Sequence, residues 1–192
     1  MNLSLFVIIP LLTVLLILFS KSIRQTRLIA AIGMSVQLVL SAILVVLYVS
    51  LRKHGNADQF VFVKDIEWFK SLNFNFTMGV DGISVALIGL TSIVIFAGVF
   101  ASWKMEDLHR EFFISLLVLA GGVFGFFITI DMFSMFVFYE LAVIPMYILI
   151  GIWGTGKKEY SAMKLTLMLM AGSALIIVGI LGLYFHSGVS GG

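Results

Sequence analysis

The sequence predicts an all-α, polytopic membrane protein with about six transmembrane helices and a small β-hairpin in one outer loop. Three observations predict it. Of 192 residues, 61% are apolar and 11% charged, where a soluble domain carries roughly a quarter charged. Mean hydropathy is +1.15, and the apolar residues fall into six runs near the ~20 residues that cross a hydrocarbon core. The one long polar stretch, residues 52–78, alternates apolar with other residues, the period of a strand.

This composition leaves no room for a large catalytic domain outside the membrane. The chain has no Cys, so it offers no thiolate for an iron–sulfur cluster or a disulfide, and no cofactor is expected on it. The net charge of +2 is spread over short connections, without the basic stripe that neutralises phosphates. The expected partner is the lipid bilayer, not nucleic acid.

The first run, residues 3–19, is followed by positive charges instead of being preceded by them, and no small-residue cleavage site closes it. It is read as a retained helix, not a signal peptide. The remaining runs are residues 28–51, 83–103, 112–130, 132–153 and 163–185. Basic residues that flank helices stay on the cytoplasmic side. Lys21, Arg24 and Arg27 lie in the first connection, Lys104 and Arg110 in the third, and Lys157 and Lys158 in the fifth, with Lys164 just beyond. These connections are expected to share that side, which puts both termini outside. The second connection is expected on the outer face. There Phe60, Phe62 and Ile66, then Phe74, Phe76 and Met78, suggest two short strands, with Trp68 and Phe69 suited to the interface.

Placing an ionisable group in mid-helix costs ~2.5 to 3.5 kcal/mol on insertion scales. Glu140 is the acid that clearly does so, about nine residues from one end of its run and hence ~13 Å deep. A low-dielectric setting disfavours the charged form of a carboxyl group, and a group so placed is suited to taking up and releasing a proton. Pro145 lacks an N–H for the carbonyl of Leu141, next to Glu140, so a helix kink is expected beside the site. The competing reading is a structural Glu, hydrogen-bonded to a neighbouring helix. Lys164 lies one turn into its helix and is read either as a second proton-handling group or as a lysine snorkelling to the interface. Asp131 is expected to be solvated in a short connection, and Asp81 to cap the third helix. His54, His109 and His186 show no metal-ligand spacing. Gly121, Gly122 and Gly125, and Gly172, Gly179 and Gly182, are read as close helix packing. No catalytic, metal-binding or cofactor-binding residue is assigned.

The string DMFSMFVFYELAVIPMYILIGIWG at residues 131–154 resembles the fifth transmembrane helix of the M-type (chain 4) antiporter-like subunits of respiratory complex I, the proton-pumping NADH:quinone oxidoreductase. MGVDGIS at 78–84, ASWK at 101–104, AGGV at 120–123 and SAMK at 161–164 extend the resemblance over nearly the whole chain. Tyr139 stands where the family's pattern has Trp before the Glu. The resemblance implies an antiporter-like fold in which the helix-five Glu pairs with a Lys on a broken helix seven. Glu140 takes the first role. The second lies beyond this sequence, which ends after helix six. It also places Lys164 at a recurrent basic position. It further implies a conducting repeat that begins at helix four, of which three helices are present.

The expected organisation is therefore a two-helix segment with its outer loop over 1–78, helices three to six over 79–186, and a truncated or flexible end at 187–192. The chain is expected to be the N-terminal portion of a longer subunit, whether as a fragment, a truncated gene or half of a split subunit. It is expected in a bacterial inner membrane, with other membrane subunits of complex I as partners. Flavin, iron–sulfur clusters and quinone are expected on other subunits, and the chain alone is not expected to be catalytic. The alternatives are an Mrp-type cation/proton antiporter subunit and a non-transporting assembly or scaffold segment.

Overall fold

A computed structural model of the chain describes residues 2–54, 58–69, 74–105 and 108–189. In chain order it contains α1 (Leu5–Leu18), α2 (Ile23–Lys53), β1 (Val61–Phe69), β2 (Phe74–Val80), α3 (Gly82–Ala101), α4 (His109–Ile128), α5 (Met132–Trp153) and α6 (Lys158–Val189). The all-helical membrane architecture with one two-stranded sheet is the one the sequence predicts. Five of these helices are long and apolar enough to cross a bilayer.

The sixth, α1, is shorter than its apolar run. Its 14 residues reach ~21 Å, against a hydrocarbon core of ~30 Å. Ser20 ends it by turning its hydroxyl back to the Ile17 carbonyl at 2.8 Å. Pro10 lies inside α1 and has no N–H for the Phe6 carbonyl. The side chain of Gln37 on α2 supplies the missing donor, Nε2 to Phe6 O at 3.2 Å, in a fully buried setting. α2 and α6 are longer than their apolar runs because polar ends continue both. Ser22 caps α2 by accepting from Gln25 N, and α6 begins at Lys158, five residues ahead of the apolar run.

The bundle is centred on α4. Phe124 meets Phe6 of α1 with ring centroids 5.8 Å apart, and Gly121 faces Pro10. On the other flank Gly122 lies against Ala142 of α5. Phe6, Met34, Leu44, Ile88, Val99, Phe113, Leu117 and Phe124 belong to one buried cluster shared by α1 to α4. α6 packs chiefly on α5, and Ala162 and Ser173 are its buried residues. At one end, Arg27 donates to the Met105 carbonyl at 2.8 Å and Arg110 to the Leu18 carbonyl. The α1–α2 and α3–α4 connections thus clasp each other, as two connections on one side of a membrane can.

β1 and β2 pair antiparallel, with Asp65 opposite Thr77, and the register slips between Val61 and Lys64. Phe62 lies in that slip at φ +60°, the extra residue of a bulge. The free side of β2 joins the α4–α5 turn, where Met78 bridges to Thr129 and Ile130 N–H donates to Thr77 O at 3.0 Å. Trp68 and Phe69 lie in β1, and their side chains fall outside the described part of the structure. α6 runs on through residues 187–189, and residues 190–192 lie outside the description.

Candidate functional site in helix five

Asp131 opens α5 as its N-cap. Its carboxylate accepts from the backbone N–H and the hydroxyl of Ser134, both at 2.8 Å. Asp131 stays in the short connection, partly exposed, and gains a capping role that the sequence reading did not give it: the unpaired amides of a first helical turn recruit the nearest carboxylate. Asp81 caps α3 in the same way, accepting from Ser84 N at 2.7 Å. That bond holds the Asp81 carboxyl below the usual carboxylate range. The motif is Asp-x-x-Ser in both places.

From this cap α5 runs unbroken to Trp153, with Pro145 buried inside it. Its faces are assigned by what they touch. Phe138 and Ala142 lie on α4, against Gly125 and Gly122. Tyr139 turns toward α6, its hydroxyl 3.5 Å from the Leu169 carbonyl, and Gly151 faces Ala162. Val137, Ile144 and Tyr147 are exposed at 38%, 62% and 47%. At ~100° per residue, Glu140 is turned away from α4 and leaves the helix within ~20° of the direction of Gly151, which meets Ala162 of α6 three turns further on.

Glu140 is partly buried as a residue. Its Oε1 is shielded and has no hydrogen-bond partner. The structural reading, a Glu hydrogen-bonded through that oxygen to a neighbouring helix, has no support within the described residues. A crevice of about 190 Å³ between α4, α5 and α6 is lined by Tyr139, Val143, Met146 and Leu169 among others, and Glu140 does not line it. The acid therefore lies on the side of α5 turned away from that crevice.

Lys164 is exposed on α6, with its ammonium 6.0 Å from the centroid of the Tyr160 ring. Ala162, two residues earlier, is the one that meets α5, so Lys164 stands ~200° round the helix from that contact. The structure does not bring Lys164 and Glu140 together. Among the described residues no three His, Cys, Asp or Glu side chains gather as a metal site would require.

A search for ionisable groups in apolar runs passes over Gln37. An uncharged amide does not register there, although it lies inside a run and Pro10 announces an orphaned carbonyl for it to find. Phe76 was read only as part of the strand alternation, and the meeting of its ring with Phe138 at 5.9 Å carried no sequence signal.

Residues 129–191 match the family described as NADH:quinone oxidoreductase/Mrp antiporter, transmembrane. The chain is 34% identical over 138 residues to NAD(P)H-quinone oxidoreductase chain 4 2 of Thermosynechococcus vestitus, covering 71% of this chain and 26% of the relative. It is 33% identical over 129 residues to NADH-quinone oxidoreductase subunit M of Rhodobacter capsulatus, covering 67% and 25%. With NADH-ubiquinone oxidoreductase chain 4 of Arabidopsis thaliana the identity is 30% over 191 residues, 98% of this chain and 38% of the relative. The chain thus spans between a quarter and two-fifths of the length of these relatives. Its fold matches a chain of respiratory complex I from Thermus thermophilus at a TM-score of 0.79 and 20% identity, covering 97% of this chain and 37% of that one. A chain of an archaeal membrane-bound sulfane sulfur reductase matches at 0.75 and 21%, again over 97% and 37%.

Proposed function

Because the chain belongs to the NADH:quinone oxidoreductase/Mrp antiporter membrane family, matched over residues 129–191, we propose that it serves proton translocation in a complex I-type assembly, with Glu140 as the proton-carrying acid. The observation that carries this reading is the shielded Oε1 of Glu140, without a hydrogen-bond partner among the described residues, on the side of α5 turned away from Gly122 and Gly125 of α4. An acid held in an apolar setting without a partner exchanges a proton with whatever cation approaches it. A lysine on a later helix of the full subunit is the partner the family resemblance implies. When that amine is charged, the carboxylate form of Glu140 is favoured; when the amine gives up its proton, Glu140 takes one. Lys164, facing away from α5, joins a later step or anchors α6 at the interface.

In this reading both termini lie on the outer side, with the hairpin. The redox cofactors and quinone reside on other subunits, and this chain is a non-redox member of the enzyme. The test is Glu140→Gln in the full-length subunit within its complex. We expect quinone reduction to lose its coupled proton pumping while the complex still assembles. Unchanged pumping in the assembled variant contradicts the proposal. The family's description also names Mrp antiporters. Sodium-driven proton exchange without any electron donor would favour that second reading.

A further inference from the structure

The hairpin is fastened just ahead of α5 by one backbone bridge and by side-chain packing. In the bridge, Ile130 N–H donates to Thr77 O at 3.0 Å and Met78 pairs with Thr129; beside it, Gly79 lies so close over Ile130 that a Cβ there would displace its Cδ1. Within α5 itself, the Phe138 ring is held between two elements. Phe76 of β2 meets it at 5.9 Å with the planes tilted by 45°. Gly125 of α4 lies beneath it, where a Cβ would overlap the ring.

Phe138 and Glu140 are two residues apart, so their side chains leave the helix ~200° from each other. A roll of α5 that carries Phe138 out of its seat swings the carboxyl of Glu140 the opposite way. We propose that Phe76 is a positioning residue: through Phe138 it fixes the rotation of α5, and with it the direction in which the Glu140 carboxyl points. The inference rests on the reading of Glu140 as a proton-carrying acid. It gives the outer hairpin a task inside the membrane, because displacements of ~1 Å at a reacting group are enough to cost large factors in rate.

A hydrophobic carbodiimide adds to a protonated carboxyl group in an apolar setting and leaves a stable adduct, so its rate of addition to Glu140, followed by mass spectrometry across pH in the full-length subunit within its complex, reports this geometry. Wild-type protein should label at Glu140, and Glu140→Gln should not. Phe76→Ala should slow labelling about twofold to tenfold, the range for loss of one aromatic contact, and alter its dependence on pH. Phe76→Tyr, which keeps the ring, should restore the wild-type profile. Gly125→Ala pushes the same ring from the α4 side and should reproduce the defect, which keeps the test open if Phe76→Ala does not accumulate. An assembled Phe76→Ala or Gly125→Ala complex with the wild-type rate and profile overturns the inference and leaves the role of Glu140 standing. Absence of labelling in the wild type overturns that role, and this inference with it.

Discussion

At the scale of single residues, the bilayer makes polar groups conspicuous, but only some of them. Glu140 was legible because a charge within an apolar run is costly enough to need a reason. Asp131 was legible too, once its Asp-x-x-Ser spacing is set beside that of Asp81. Its place in a short connection hid the helix start that the spacing marks. Gln37 was not legible, because its value depends on a partner from α1. Gln37→Leu should leave the Phe6 carbonyl unpaired in a buried setting and lower stability by about 1 kcal/mol, measured by reversible unfolding in detergent. No change in stability would mean that the carbonyl finds another donor. Asp81 adds a pH dependence. Its folded carboxyl sits below the ordinary range because it accepts from Ser84 N, so its contribution is complete at neutral pH. As pH falls below about 4 and through the folded value, that contribution is lost. Amide exchange at the Ser84 N–H should therefore accelerate, beyond the intrinsic effect of acid, in that window. Asp81→Asn should remove the dependence.

At the scale of elements, apolar runs locate helices well and their ends poorly. α2 and α6 extend past their runs because capping and polar turns continue a helix where hydropathy has already fallen. α1 stops short of its run because Ser20 ends it. A short helix needs close packing, and Gly33 provides it: a Cβ there would overlap the Thr13 side chain, whose hydroxyl donates to Ile9 O at 2.8 Å. Gly33→Ala should destabilise the α1–α2 contact by about 1 to 3 kcal/mol. Thr13→Ala in the same chain removes the atoms it strikes and should recover part of the loss, a coupling that a double-mutant cycle resolves. Additive effects would show that the two helices do not meet at this pair. The hairpin was legible as alternation between Phe60 and Met78. Its attachment to the α4–α5 turn was not, because β2 reaches Thr129 and Ile130 through backbone bonds that side-chain patterns do not encode.

At the scale of the whole molecule, burial is uneven from helix to helix. α4 is half buried along its apolar window, while α6 is buried over only 6% of its own. The side of α5 away from α4 carries the exposed Val137, Ile144 and Tyr147 and the partly buried Glu140. Relatives of this chain are well over twice its length, and a partner for the acid is proposed to come from that further length. The all-helical class and the hairpin could be read from hydropathy, and the buried acid from its charge. The direction that acid faces, and the lack of a partner for its Oε1 among the described residues, required the packing of α4 and α6 on α5.

Glu140 is proposed to gain and lose a proton as the assembled complex turns over. Time-resolved infrared difference spectroscopy of the carboxyl C=O stretch, on the complete complex during turnover, follows that exchange. A protonated-carboxyl band should rise and fall with turnover and be missing in Glu140→Gln. The same band changes in wild type and in an assembled Glu140→Gln complex would contradict it.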